Sequence, residues 1–160
     1  MAGSRTVAGA GVIGTAVLVL AFGNQAFTEW VDRHTSETSV WGWFLRQLTW
    51  PRWAVGPRDG STGAMRDLLA SDLRAILLLV FVAVVLAMVA KKVAGGAVGF
   101  FIGWAALVFA SALAAFATAF IAANASLLGA FTAAAVASAY GLFVGWIVGI
   151  LTGGAKGATS

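Results

Sequence analysis

Apolar residues in this chain cluster into four runs, at about 6–27, 75–90, 94–123 and 127–152, with one long polar interval at 28–74. A helix needs roughly 20 predominantly apolar residues to cross a bilayer. The pattern therefore predicts an all-α polytopic membrane protein: four transmembrane helices in a single integral membrane domain, 1–160. The second run (AILLLVFVAVVLAMVA) is short, but Arg74 before it and Lys91 and Lys92 after it can snorkel to the two interfaces. Between the third and fourth runs stand only Asn124, Ala125 and Ser126. Asn tolerates the left-handed end of a helix and Ser caps the next one, so a tight helical hairpin is expected.

Within the last two runs the small residues are themselves periodic. Gly95, Gly99 and Gly103 recur every fourth position in the third run, and Gly141, Gly145 and Gly149 continue a row in the fourth that starts at Gly129 and includes Ala133 and Ala137. Such rows let helix backbones approach closely, which in lipid takes over from the hydrophobic effect as the source of association. These six glycines are the expected helix-packing residues. The third run carries a second small row at Ala106, Ala110, Ala114, Thr118 and Ala122. One hairpin contact uses one face per helix, so we read the surplus as close packing of further helices, from the first span, another copy or another protein, and favour the intermolecular partner.

Folding the hairpin about Ala125 places Trp104 level with Trp146, Thr118 with Thr132 and Ser111 with Tyr140. The strings GFFIGW and GLFVGW fall at the same depth, a coincidence of composition in a Gly- and Phe-rich chain. A phenol in hydrocarbon seeks a partner, so an interhelical hydrogen bond between Ser111 and Tyr140 is expected, worth about 0.6 kcal/mol.

The polar interval has its own order. Trp41, Phe44, Leu45 and Leu48 follow i, i+3, i+4, i+7 spacing after a capping Ser39 and before Pro51. With Trp43, Trp50 and Trp53 added, the segment reads as an interfacial amphipathic helix. Trp41, Trp43, Phe44, Trp50 and Trp53 would then dock on lipid or a partner. Gly56 to Gly60 is turn chemistry, and Ser61 or Thr62 caps the helix leading into the second span. Arg5 and the apolar run ending at Phe22 and Gly23 have the outline of a secretory signal. We read them as a retained signal anchor whose helix continues toward His34, supported by a Glu29–Arg33 pair and by Trp30 at the interface.

Composition narrows the function classes. The chain is 61% hydrophobic and 10% charged, too apolar for a soluble domain of 160 residues. The net charge of +4 sits at span flanks and suits anionic lipid, so we expect no nucleic acid partner. Cysteine is absent, which removes thiolate metal sites and cysteine nucleophiles. All six acidic residues and six of the seven arginines lie in 28–74, leaving every span without an ionisable residue in its core. Proton relays, ion-coupled carriers and voltage sensors need such groups at depth. His34 is the only histidine, with no second or third ligand near it in sequence, and reads as a solvated loop residue. The stretch from Gly56 to Gly63 lacks the lysine of a phosphate-binding loop.

No catalytic, cofactor or metal site is expected. The favoured reading is a non-enzymatic membrane subunit that scaffolds or stabilises a larger complex, in contact with the lipid bilayer and with other subunits or copies of itself. The alternative is a homo-oligomeric pore or passive channel. The Ala-, Gly- and Val-rich, lysine-poor composition matches the codon bias of high-GC bacterial genomes. We expect the cell membrane of a bacterium, with both termini in the cytoplasm because the lysines flank the short connections.

Overall fold

The computed structural model describes residues 2–36, 38–56, 61–92, 95–122 and 125–157, and no strand occurs among them. The six helices are α1 (Ala2–Phe22), α2 (Gln25–His34), α3 (Val40–Leu48), α4 (Thr62–Val89, followed by a 3-10 turn Ala90–Lys92), α5 (Gly96–Ala119) and α6 (Leu127–Gly157). The long ones form a ring: α1 packs on α4 and α6, α4 on α5, and α5 on α6, which is the most extensive interface. Leu18, Leu78, Val82, Leu86, Leu107, Val144 and Val148 fill the centre.

Three helices, α4, α5 and α6, are long and apolar enough to cross a membrane, and α1 with α2 would make a fourth crossing only as one broken span. The single helix expected to run on toward His34 is interrupted at Gly23–Asn24, and the two parts bend by 57°. Local chemistry explains the break. Asn24 turns its side chain back onto the carbonyls of Leu20 (3.1 Å) and Ala21 (2.8 Å) while its Oδ1 accepts from the Phe27 N–H at 2.9 Å. One residue thus closes α1 and caps α2. Gly23 is needed there because the Pro51 carbonyl of the long loop lies against it, leaving no room for a Cβ. The Glu29–Arg33 pair does form, at 3.5 Å.

Other boundaries also move. α4 begins 13 residues before the apolar run at Ala75, from a Ser61 cap whose side chain accepts from the Ala64 N–H. α5 stops at Ala119, so the connection to α6 is wider than the three-residue turn expected from the sequence. Ser126 does cap α6, accepting from the Gly129 N–H at 2.9 Å. Asn124 and the turn at 57–60 lie outside the described residues.

Candidate functional site

Between α5 and α6 the backbones meet through glycine. A Cβ added to Gly141 would fall 2.7 Å from the Val108 nitrogen and 2.9 Å from the Leu107 carbonyl oxygen. At Gly149 it would meet the Phe100 carbonyl at 2.7 Å, and at Gly153 that of Gly96, also at 2.7 Å. Gly145 faces Trp104, Gly99 faces Thr152 and Gly153, and Gly103 faces the Thr152 side chain. Gly95 differs: it precedes the helix and has open space around it, so close approach gives no reason for a glycine there.

The second small row is also spent inside the chain. Ala106, Ala110, Ala114 and Thr118 are all buried in the monomer. The surplus that pointed to another protein is largely taken up by the chain's own helices, because α5 is flanked by both α4 and α6.

The expected Ser111–Tyr140 hydrogen bond is absent. Ser111 donates to the Val108 carbonyl of its own helix at 2.9 Å, as a helical serine can do without a neighbour. The Tyr140 ring instead lies against Trp50, with centroids 4.8 Å apart, and its buried hydroxyl has no partner among the described residues. Other groups clamp the hairpin. The Thr152 hydroxyl can donate to the Gly99 carbonyl across the interface at 2.8 Å, and the Trp104 Nε1–H donates to the Leu142 carbonyl at 2.9 Å. A threonine embedded in a glycine row was the available signal for the first of these.

The long loop folds onto the bundle instead of lying apart from it. Trp53 donates its Nε1–H to the Val19 carbonyl at 3.0 Å, and its backbone N–H reaches Gly23 at 2.9 Å. Trp43 meets Phe143 edge-on at 4.8 Å. Arg46 donates to Asp32 at 2.9 Å and to the Thr35 carbonyl at 3.1 Å, and Asp72 accepts from the Ala54 N–H at 3.1 Å. Of the five aromatic residues expected to dock outward, Trp43, Trp50 and Trp53 therefore hold the loop to α1 and α6. Trp41 is the most exposed of the five at 66%, stacked on the half-buried Phe44, and Trp43 keeps 40% of its surface open, because α3 buries Gly42, Leu45 and Leu48. His34 is exposed, stacked on Trp30, with Nδ1 2.9 Å from the Trp30 carbonyl.

Two clefts open where loop and bundle meet. One, of about 700 Å³, lies between Trp50, Arg74 and the start of α6, with Ser126, Thr132, Ala133 and Val136 on its walls. Arg74 is half-buried and donates its Nε–H to Thr118 at 3.1 Å; Thr118 passes its own proton to the Ala114 carbonyl at 2.8 Å. The other, of about 730 Å³, lies between α2 and α4 beside Glu29, Arg52, Trp53, Asp67 and Ser71. Thr28 is on its wall, with a buried hydroxyl that has no hydrogen-bond partner among the described residues. Among the described residues no three His, Asp or Glu side chains converge as a metal site would require. No family model, curated protein or solved structure matches this chain.

Proposed function

We propose that the protein is a non-enzymatic integral membrane subunit that helps to hold a larger membrane complex together, with its partner seated on the tip of the α5–α6 hairpin. The supporting observation is a difference in apolar length within one bundle. The part of α1 after Arg5, from Thr6 to Phe22, is 17 residues and the uncharged run 75–90 of α4 is 16, each about 25 Å at 1.5 Å per residue. The apolar stretch of α6, Leu127–Ala155, is 29 residues, about 44 Å. Gly153 packs on Gly96, close after the end of α4, so the helices are nearly flush at that side. The excess falls on the loop side, where Leu127 stands about 8 Å along α6 beyond Thr132 and the cleft at Arg74.

That tip is not polar. Phe120, Leu127, Leu128 and Phe131 are 49–78% exposed, with Phe131 and Phe120 both edge-on to Phe116. An apolar, solvent-facing knob beyond the hydrocarbon favours a protein cover. The small-residue rows are largely occupied internally, which favours a docking surface at this tip and on the exposed Trp41.

The pore reading has less support. Ser111, Thr118 and Tyr140 are buried in the bundle, whereas Thr132 faces outward, so these polar groups do not share one face. The test is gentle extraction of a tagged copy from its native host, followed by native electrophoresis and mass spectrometry. Stoichiometric foreign subunits are expected, and a Leu127→Ser/Phe131→Ser double variant should lose them while the monomer stays folded. A single species at a multiple of the chain's own mass, unaffected by that variant, would instead favour the self-assembled pore.

A further inference from the structure

We infer that the cleft at Arg74 is a binding site for the phosphate of an anionic phospholipid in the leaflet on the loop side. Three independent features converge there. The first is charge: among the described residues the only polar group bonded to the Arg74 guanidinium is the neutral hydroxyl of Thr118. Asp32, Glu29 and Asp72 are engaged elsewhere, with Arg46 and Arg52, with Arg33, and with the Ala54 N–H. A guanidinium that is half withdrawn from water and bonded only to a neutral group retains donors for an anion, and its planar fork suits two phosphate oxygens.

The second feature is depth. Arg74 is the last charged residue before the uncharged run 75–90 of α4, so its side chain stands where hydrocarbon gives way to headgroups. The third is the grading of the cleft wall. Ser126, Thr132 and the indole of Trp50 supply polar surface, and Ala133 and Val136 continue the wall as bare hydrocarbon. Val136 is 64% exposed, so this wall opens onto the outer surface of α6. A phosphate at Arg74 therefore has a path for its acyl chains along α6. A freely soluble phosphate ester would leave that apolar wall unused. The cleft of about 700 Å³ has room for a phosphate and glycerol together.

Purified protein, stripped of lipid in detergent, would be titrated with phosphatidylglycerol, phosphatidylcholine and inorganic phosphate and read by native mass spectrometry. One phosphatidylglycerol should bind about tenfold more tightly than phosphatidylcholine, whose phosphate offers the same bond but whose quaternary ammonium brings a second cation close to Arg74. Arg74→Gln should remove that preference, and Arg66→Gln, which deletes an exposed cation on the same helix, should not. Val136→Trp fills the apolar wall while leaving the Arg74–Thr118 bond in place, so its loss of lipid cannot be a folding defect of the arginine variant. Equal weakening by Arg66→Gln and Arg74→Gln would overturn the inference, as would equal affinity for the two lipids. Competition by millimolar inorganic phosphate with no effect of Val136→Trp would overturn it too, by assigning the site to a free anion.

Discussion

Tyr140 and Gly141 are adjacent in the chain but respond to opposite pressures. Gly141 has α5 backbone within contact distance, so even one methyl group must push the two helices apart. Overpacking of this kind costs about 1–3 kcal/mol. Gly141→Ala should therefore lower the unfolding midpoint in mild detergent, whereas Gly9→Ala, which meets open space, should leave it unchanged. Equal effects of the two substitutions would mean that the close approach is not what holds the hairpin. Tyr140 carries a buried hydroxyl with no partner among the described residues, so its removal gives up no hydrogen bond to them. Tyr140→Phe should be neutral or stabilising by about 1 kcal/mol, and a double-mutant cycle with Ser111→Ala should show no coupling. A coupling near the 0.6 kcal/mol typical of intramembrane hydrogen bonds would restore the contact that the structure lacks.

Among the elements, those set by local sequence were legible and those set by the bundle were not. Ser39, Ser61 and Ser126 each cap the helix that their position announced. The glycine rows lie at the α5–α6 interface because their spacing and the hairpin's register depend on only two neighbouring helices. The loop was harder to place. Trp43, Trp50 and Trp53 look alike from sequence whether they face lipid, a partner or their own bundle; their direction is decided by Phe143, Tyr140 and Val19, residues far away in the chain. The break between α1 and α2 had a signal in Gly23–Asn24, outweighed in the sequence reading by the helix-favouring Glu29–Arg33 pair beyond it. Asn24→Ala removes a cap worth about 1 kcal/mol and should loosen that junction. Hydrogen exchange at the Phe27 amide should speed up severalfold, with α4 unaffected; protection unchanged at Phe27 would show that the Pro51 contact alone fixes the bend.

For the whole molecule, the unequal apolar lengths can be tested directly because the native chain has no cysteine. A cysteine replacing Leu127 should react with a water-soluble maleimide in liposomes, and one replacing Val84, which is exposed midway along the 75–90 run, should not. Protection of both would mean that the hairpin tip stays within the hydrocarbon and that the bundle tilts to bury it.

A body about 25 Å tall on the flank of α1 and α4 and about 44 Å tall on the flank of the hairpin also acts on the lipid around it. Each ångström of disagreement between protein and bilayer height costs a fraction of a kcal/mol in stretched or compressed chains. The tall flank cannot be relieved in a uniform membrane without disturbing the short one. Elastic strain is least at a seam, where the hairpin stands against a taller neighbour and the other side meets ordinary bilayer. On the proposed reading this asymmetry would give the molecule a heading, with its hairpin flank toward the rim of a thicker assembly before any side chain of the two has touched.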